Sequence, residues 1–364
     1  MFKRAIDILQ KYYDLKVANI QFQNTLGESG SFSVRKVSRF ISILFRKIIP
    51  LVFTKKYDIL YYCVAAPSKL GLIKDLIFLG FLRLRAHKTV YHLHGAGGVT
   101  LVMHCGVIMR AWARLVLFEP DIVLRPPGMA SDEADLCKAK HEKIIFNGIE
   151  DPITIVPDLT RRWPEAELSF TFVGLITEDK GVFDLVAIAR LLREAGYRFS
   201  MNIVGEGAPS EIIRLQNLIR QFDLAEFVRL TGVLVGREKF ELIQKTTIFL
   251  FPSYFRAESQ PTAIMEALAL GVPVVASDWR GISTIIDQGV NGYIVPPREP
   301  VLFCRAIIKV LTGGQIDSMR AAARRIFLER FTLDHHAKAL MAAFQLLEAD
   351  ANSQCNNTLR SGAV

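Results

Sequence analysis

From residue 167 onward, short runs of apolar and β-branched residues alternate with longer stretches in which apolar residues recur at helical spacing. Each apolar run ends in a glycine, a proline or a polar turn, and the runs show no strict alternation of apolar and polar positions. Strands of this kind, separated by helices, indicate a parallel sheet that is covered on both faces. The strands predicted here are "LSFTFVG", "FSMNIVG", "FVRLTG", "TIFLFPS", "VPVVASD" and "GYIVPP".

The N-terminal half repeats this pattern, so we predict two doubly wound, Rossmann-like α/β domains in series. A length of 364 residues also favours two hydrophobic cores over one. Open parallel sheets bind ligands at the carboxyl ends of their strands, and pockets favour domain interfaces, so we expect a ligand cleft between the domains. The strands predicted in this half are "VANIQFQ", "ILYYCVA", "KTVYHLHG", "DIVLRPP" and "KIIFNGI".

Proline content and helical spacing set the predicted domain boundaries. The first domain covers residues 1–150, and a linker rich in proline covers residues 151–166. The second domain covers residues 167–332. A helix over residues 333–349 is expected, by analogy with the fold, to pack back across the domain junction, and the polar tail 350–364 is expected to be disordered.

The net charge indicates the class of partner, and the cysteines indicate the cellular compartment. The net charge of +9 suggests an anionic partner, which could be nucleic acid, a phosphorylated ligand or a membrane surface. Nucleic acid fits less well, because the basic residues are not interleaved with aromatic residues and the sequence shows no nucleic-acid recognition motif. The five cysteines are scattered without a CxxC pair, which predicts neither a disulfide framework nor a zinc site and favours the reducing cytoplasm. The uncharged window Thr89–Met109 contains histidines and glycines, unlike a membrane span.

The segment "ESQPTAIMEALALGVPVV" carries the first candidate chemistry. We predict a loop, then Pro261 at the first helical position, then a helix over Ala263–Leu270. The N-terminus of such a helix offers free N–H groups to a phosphate or diphosphate. Glu258 lies just before that site, and Glu266 lies about 7.5 Å along the helix axis. Taken alone, an exposed loop acid and a first-turn acid favoured by the helix dipole explain the two carboxylates better than a shared chemical role does.

Two further loops follow predicted strands. In "FVGLITEDKG", Gly174 allows close approach of a ligand to the backbone, and Lys180 could provide counter-charge for a leaving diphosphate. In "IVGEGAP", Gly205 and Gly207 could line a base or ribose pocket. The alternatives are a solvent-facing lysine in the first loop and a tight strand-to-helix turn in the second, which needs the same glycines.

These segments, in this order, resemble the donor domain of the family 4 retaining glycosyltransferases (glycosyl transferases group 1), whose two-Rossmann-domain architecture is called GT-B. The resemblance covers residues 167 to about 297. It implies that Glu258 contacts the donor sugar near the reacting centre, that Glu266 hydrogen-bonds the ribose and that Lys180 neutralises the diphosphate. Backbone around Pro261 and Thr262 would complete the phosphate site, and no metal ion or further cofactor is expected.

The resemblance also extends to the first domain, and the chain departs from the family pattern at three places, two of them in the second domain. "VYHLHGAGG" is similar to the strand whose final histidine, His94 here, approaches the donor sugar in the family; a strand histidine satisfied by backbone is the alternative. Leu175 occupies the position of an arginine that usually contacts the diphosphate. Ser283 and Thr284 stand where proline and glutamate are usual. The family's first strand and its Gly-Gly loop are expected to be missing, with "VANIQFQ" taking the place of the second strand.

The segment Val34–Phe53 is a candidate for membrane contact. At ideal helical spacing its basic residues share one face about 120° wide, opposite an apolar face. Such a helix could lie on an anionic membrane, where the acceptors of the family are often lipid-linked. A Rossmann helix with a solvated basic face is the alternative. The basic residues are Arg35, Lys36, Arg39, Arg46 and Lys47.

The resemblance therefore implies transfer of a hexose-type sugar, with retention, from a nucleotide-diphosphate donor to a glycan or lipid-linked acceptor. Surface polysaccharide synthesis at the cytoplasmic side of the plasma membrane is the expected setting. Reaction on one face of the sugar and reaction through a covalent intermediate are both compatible with the sequence. The alternative functions are a non-catalytic sugar-nucleotide-binding protein and a GT-B sugar-nucleotide epimerase.

Overall fold

The computed structural model of the chain divides into two compact units, one formed by Met1–Phe146 with His336–Val364 and the other by Asn147–His335. The residues that the structure describes are 2–18, 34–64, 69–93, 98–128, 137–157, 168–256 and 258–361. The predicted strand "VANIQFQ" lies almost entirely outside them, and so does His94.

The first unit contains a four-stranded parallel sheet with the strands in chain order. Three of the strands agree with the prediction, whereas the fourth was predicted too late in the sequence, in "KIIFNGI". The ladder between the last two strands stops at Arg125 because Pro126 and Pro127 follow, and proline has no N–H to donate. The strands are β1 (Tyr57–Val64), β2 (Ala86–Leu93), β3 (Ile122–Arg125) and β4 (His141–Ile144).

Helices cover this sheet with a largely apolar core. Leu76, Phe78 and Leu79 are buried together with Tyr91 of the sheet. The helices are α1 (Phe2–Leu9), α2 (Val34–Ile43), α3 (Ile49–Val52), α4 (Lys69–Leu82), α5 (Gly98–Met103) and α6 (Val107–Leu117).

The predicted amphipathic segment Val34–Phe53 is helical but not uniform. A π-helical turn, Leu44–Ile48, separates α2 from α3. The prediction assumed ideal α-helical spacing throughout, and the wider turn changes the phase of the residues that follow it. Within this segment Ile41, Phe45 and Arg46 are all exposed.

The second unit contains all six predicted strands in one parallel sheet. The spatial order is β10-β9-β8-β5-β6-β7, which is the doubly wound order with its reversal at β5. The predicted fold class is thereby confirmed. The strands are β5 (Leu168–Val173), β6 (Phe199–Val204), β7 (Val228–Gly232), β8 (Ile248–Phe251), β9 (Val274–Ser277) and β10 (Gly292–Val295).

Helices flank this second sheet, and the last helix continues into the first unit. The first of these helices ends at Glu194, and Gly196 follows with φ +84°, the left-handed conformation in which a glycine commonly ends a helix. The helices are α7 (Val182–Glu194), α8 (Pro209–Gln221), α9 (Gly236–Gln244), α10 (Thr262–Ala269), α11 (Pro300–Thr312), α12 (Ile316–Arg330) and α13 (Leu333–Ser361).

Helix α13 is longer than predicted and does not end near residue 349. From Leu333 the sequence contains no proline or glycine until Gly362, so no helix breaker interrupts it. Its residues from His336 onward belong to the first unit. There the His336 ring stacks 6.3 Å from the His92 ring, and Tyr13 donates a 2.9 Å hydrogen bond to Glu348. No helix within the described ranges is both long and apolar enough to span a bilayer.

Candidate functional site

The reversal of strand order at β5 brings three strand ends together in the second unit. β5 lies between β8 and β6, and because all three strands are parallel, their carboxyl ends meet at one edge of the sheet. The loops that follow them contain Gly174 to Lys180, Gly205 to Gly207, and Ser253 to Glu258. The fold therefore places most of the predicted site residues at the position where doubly wound sheets bind ligands.

The glycines of two of these loops are required by contact between the loops. The Gly174 amide donates to the Val204 carbonyl at 3.0 Å, and the Ile176 amide donates to the Glu206 carbonyl at 2.8 Å. A Cβ atom at Gly205 would lie 1.8 Å from the Gly174 oxygen, and one at Gly207 would lie 2.3 Å from the Ile176 oxygen. Gly205 and Gly207 are thus required by the close approach of the neighbouring loop, a structural reason that the sequence did not indicate.

Lys180 contacts Glu258 directly. Its Nζ lies 2.5 Å from Glu258 Oε2 and 4.7 Å from the centre of the Phe255 ring. The lysine ends a 3-10 turn, Glu178–Lys180, and Gly181 follows with φ +74°. A Cβ atom there would lie 2.3 Å from the Pro252 oxygen, so Gly181 allows this turn to approach the end of β8. The ion pair is thus held between adjacent strand ends.

Glu258 is buried, and one of its two carboxylate oxygens, Oε2, accepts two hydrogen bonds. Ser253 Oγ donates to Oε2 at 2.9 Å, in addition to Lys180. Within the described part of the chain, no side chain is seen to donate to Oε1. A buried carboxylate with one bonded oxygen is held in a fixed orientation and can still accept hydrogen bonds from a ligand.

Tyr254 contacts both the turn that carries Lys180 and the side chain of Arg298. The Tyr254 amide donates to the Asp179 carbonyl at 2.8 Å, and the Arg298 guanidinium lies 4.3 Å from the Tyr254 ring centre. Burial raises the pKa of Asp184, against the opposing effect of Arg298, and Glu178 raises the pKa further. Sequence reasoning did not identify Tyr254, Arg298 or Asp184.

Pro261 was predicted at the first helical position of α10, but the helix begins one residue later. Pro261 has extended backbone (φ −66°, ψ 122°) and is the N-cap, and Thr262 is the first helical residue. As a proline, the N-cap has no side-chain acceptor, and among the described residues no side chain is seen to cap the helix, so the Thr262 and Ala263 N–H groups are available to a ligand. Further along, Glu266 accepts a 2.8 Å hydrogen bond from Lys239 of α9, and both side chains are mostly buried. This partner was not predicted.

Gln260 connects the loop before α10 to two other segments, and sequence reasoning missed it. Its Oε1 accepts from the Asn147 amide at 2.8 Å, and its Nε2 donates to Thr284 Oγ1 at 3.2 Å. Asn147 lies in the segment "KIIFNGI", and Thr284 occupies a position where the resemblance expected glutamate. These bonds fix the backbone two residues after Glu258.

The arrangement fits an anionic ligand that carries hydroxyl groups. Lys180 offers a cation, the α10 N-terminus offers N–H donors, and Glu258 offers an acceptor for hydroxyl groups. Leu175, in place of the arginine usual in the family, adds no charge. Among the described residues, no group of three or more His, Cys, Asp or Glu side chains could hold a metal ion. His94 lies outside the described residues.

Comparison with protein families agrees with the predicted resemblance of the second unit. Residues 167–313 match the family described as Glycosyl transferases group 1. WcaL of Escherichia coli (strain K12), named as a colanic acid biosynthesis glycosyltransferase, is 30% identical over 199 residues, which are 53% of this chain and 44% of that protein. The amylovoran biosynthesis glycosyltransferase AmsK of Erwinia amylovora is 32% identical over 149 residues, 40% of this chain and 36% of that protein. The chain thus matches less than half the length of these relatives.

Solved structures share the fold over most of the chain. Sucrose-phosphate synthase from Thermosynechococcus elongatus aligns with a TM-score of 0.67 at 16% identity, over 86% of this chain and 79% of that one. Anabaena HepE in complex with UDP-glucose aligns with a TM-score of 0.63 at 17% identity, over 83% of this chain and 82% of that one. The fold is therefore GT-B, with two Rossmann-like domains, as predicted.

Proposed function

We propose that this chain, in which residues 167–313 form a glycosyl transferases group 1 domain, is a retaining glycosyltransferase. It moves a hexose-type sugar from a nucleotide-diphosphate donor to a glycan or lipid-linked acceptor. The observation that carries the proposal is the Lys180–Glu258 pair, held at adjacent strand ends beside the uncapped N-terminus of α10. The relatives named for colanic acid and amylovoran biosynthesis support surface polysaccharide synthesis as the setting.

In the proposed reaction, the bond between the anomeric carbon and the diphosphate breaks, and the diphosphate leaves with the electron pair. The acceptor hydroxyl oxygen forms the new bond to the anomeric carbon, and the departing diphosphate takes up the proton that this hydroxyl loses. Lys180 and the backbone N–H groups that follow Pro261 stabilise the charge that develops on the diphosphate. When Lys180 turns to the diphosphate, Glu258 becomes available to the sugar hydroxyl groups. Glu266 is assigned to the ribose.

The remaining assignments complete the proposal. Backbone at Gly174, Gly205 and Gly207 approaches the nucleotide, and His94 approaches the reaction centre. No metal ion is required. The reaction takes place in the cytoplasm at the inner face of the plasma membrane, with Val34–Phe53 in peripheral contact with the lipid.

Two alanine substitutions should separate the roles of the glutamates. We expect Glu258→Ala to lower kcat by about a hundredfold or more, because a contact to the reacting sugar acts mainly in the transition state. We expect Glu266→Ala to weaken nucleotide binding by about tenfold or more, the effect of losing a charge-assisted hydrogen bond. Transfer kinetics and calorimetric titration with the nucleotide measure the two effects.

Lys239→Met is the matched control for Glu266→Ala. It breaks the same ion pair but leaves the carboxylate in place. If both variants weaken nucleotide binding equally, Glu266 acts only through the structure of α10 and not on the ribose. Glu238→Ala removes an exposed acid from the same unit and should leave both constants unchanged. Equal, small effects of Glu258→Ala and Glu266→Ala would contradict the assignment.

A panel of UDP-, GDP- and ADP-sugars tests the activity itself. Transfer of the sugar to a glycan acceptor, with the anomeric configuration of the product determined by NMR, supports a retaining transferase when the donor configuration is kept. Tight binding without hydrolysis or transfer would instead indicate a non-catalytic binding protein. Release of nucleotide with an epimerised sugar and no transfer would indicate an epimerase.

A further inference from the structure

A short turn after β9 holds the loop that carries Glu258. The turn consists of residues 279–284, with a 3-10 helix at Arg280–Thr284, and we call it the β9 turn. β9 pairs with β8 in parallel, so the turn lies at the same edge of the sheet as the candidate site. Trp279 Nε1 donates to the Phe255 carbonyl at 2.9 Å. The Glu258 amide donates to the same carbonyl at 3.0 Å, so the turn is bonded directly to the Glu258 loop.

The β9 turn contacts that loop a second time, on the other side of Glu258. Thr284 Oγ1 accepts a hydrogen bond from Gln260 Nε2 at 3.2 Å and donates to the Gly281 carbonyl at 2.7 Å. Gln260 comes directly before Pro261, the N-cap of α10. The turn therefore lies beside the N–H donors of α10 as well as beside Glu258, the two features to which the proposed function assigns the diphosphate and the sugar.

Arg280, in this turn, has a backbone conformation that is unfavourable for an arginine. Its φ of +49° lies in the left-handed region, which residues with a Cβ atom seldom adopt. Glycine would adopt the same conformation without this cost. Strained residues of this kind cluster at functional sites, so the backbone of Arg280 points to a role for its side chain.

The guanidinium of Arg280 has no hydrogen-bond or ion-pair partner within the described part of the chain. Its Nε is buried, and its Cζ lies 5.7 Å from the centre of the Trp279 ring. The nearest acid in the sequence, Asp278, is exposed. A buried N–H group without an acceptor is unfavourable, and an anionic ligand would supply the acceptor. The guanidinium fork matches the geometry of a phosphate group.

Position decides which anion fits Arg280. The proposed function assigns Glu258 to the donor sugar, and the β9 turn is bonded to the loop on both sides of Glu258. The phosphate that carries the sugar, which is the β-phosphate of the donor, therefore comes nearest to the turn. A diphosphate carries more negative charge than Lys180 alone neutralises, and Leu175 adds no cation from the β5 loop.

We propose that Arg280 binds the β-phosphate of the donor nucleotide, as the second side-chain cation of the site beside Lys180. The charge that Leu175 does not provide from the β5 loop comes from the β9 turn instead. This assignment rests on the proposed function and deepens it, because it names a phosphate contact at a position that the resemblance does not identify as a site residue.

Calorimetric titration and thermal unfolding of the full chain with Arg280→Gly test the assignment. The wild type is titrated with UDP, GDP and ADP, and the diphosphate that binds most tightly is then compared with its monophosphate. Arg280→Gly should weaken binding of the diphosphate about ten- to a hundredfold, the effect of losing a charge-assisted hydrogen bond, and should leave the affinity for the monophosphate unchanged. Its Tm should not fall, because the strained backbone and the buried unpaired N–H group are both removed.

Two further variants test the charge itself. Arg280→Lys keeps the charge without the planar fork and should lose less affinity for the diphosphate than Arg280→Gly. The double variant Leu175→Arg/Arg280→Gly moves the cation from the β9 turn to the β5 loop and should recover most of the lost affinity. A purely structural role of Arg280 predicts a lower Tm for Arg280→Gly and no recovery in the double variant.

Matched controls come from elsewhere in the second unit. Arg190→Gln removes an arginine of α7 that also lies over an aromatic ring, that of Phe222. Asp223→Gly relieves a similar backbone conformation, with φ +51°, away from the β9 turn. Both variants should bind the monophosphate and the diphosphate like the wild type.

Several results would overturn the assignment. They are an unchanged affinity of Arg280→Gly for the diphosphate, an equal loss for monophosphate and diphosphate, a lower Tm, or no recovery with Leu175→Arg. Sugar transfer is measured in parallel to separate this assignment from the proposed function. A chain that shows the expected losses but transfers no sugar refutes the transferase and leaves the phosphate contact standing. A wild type that transfers sugar while Arg280→Gly binds the diphosphate equally well refutes only the role of Arg280. A wild type that binds no nucleoside diphosphate refutes both.

Discussion

Replacing Lys180 with methionine tests how strongly the second unit depends on the ion pair with Glu258. The substitution keeps most of the apolar stem and removes the charge. The two side chains are only 13% and 9% exposed, so the carboxylate that remains would be buried. Its one remaining side-chain donor in the described part of the chain would be Ser253. A buried charge without a counter-charge is among the costliest defects in a folded protein.

The geometry gives the expected magnitude. At 2.5 Å between Nζ and Oε2, and with an effective dielectric constant of about 20, the attraction is about 7 kcal/mol. Removing two charges from water costs several kcal/mol for each ion, so the intact pair contributes little net stability. Lys180→Met loses the attraction and keeps one desolvated charge, which should lower the free energy of unfolding by about 3 kcal/mol. Glu258→Gln should cost less, about 1 kcal/mol, because Lys180 also lies over the Phe255 ring.

Urea and thermal unfolding of the two single variants and the double variant measure the coupling. The double variant has no unpaired charge and should lose only about 1 kcal/mol, which corresponds to a coupling energy of about 3 kcal/mol. For a unit of this size, Lys180→Met should lower Tm by roughly 6 to 12 °C. Lys309→Met removes a lysine that lies over the Tyr293 ring and is the control; it should change the free energy of unfolding by less than about 1 kcal/mol. If Lys180→Met and the double variant lose equal stability, the reasoning is refuted.

Gly205→Ala should destabilise the second unit by at least about 3 kcal/mol, since its Cβ would lie 1.8 Å from the Gly174 oxygen. Gly196→Ala, also at positive φ but with open space around it, should cost only about 1 kcal/mol in the same urea titration, and equal losses would contradict the steric argument. Burial would raise the pKa of Asp121, but hydrogen bonds from Lys140 and from backbone lower it below 3.8. Because the folded-state pKa is depressed, Asp121→Asn should cost about 2 kcal/mol near neutral pH. The difference should shrink as the pH falls through the folded-state pKa, and a pH-independent difference in chemical unfolding would contradict this.

The strands of the second unit could be predicted because each is a short apolar run that ends in a turn. Helix ends were harder to predict where the local signal was ambiguous. Pro261 suits both the N-cap and the first helical position, and the structure places it at the N-cap. The prediction of one uniform α-helix over Val34–Phe53 was incomplete for another reason, because a π turn cannot be read from side-chain spacing that assumes an α-helix.

The contacts of the candidate site could not be predicted from local sequence. Lys180 and Glu258 are 78 residues apart, and they meet only because β8 lies next to β5. Spatial strand order depends on which crossover connections pack best, and no single segment encodes it. The partner of Glu266 belongs to the neighbouring helix α9, and Gln260 bonds to a residue far from it in the sequence. Neither contact could be predicted from local sequence, for the same reason.

The interlocked backbones of the β5 and β6 loops affect how evolutionary change in this domain should be interpreted. Gly205 and Gly207 face the oxygens of Gly174 and Ile176 so closely that any side chain would clash, whether or not a nucleotide is ever bound. A descendant that had lost its activity would still be under selection to retain both glycines. Their persistence would therefore report an intact domain, whereas drift at Lys180 and Glu258 would be the earlier sign of a decaying enzyme.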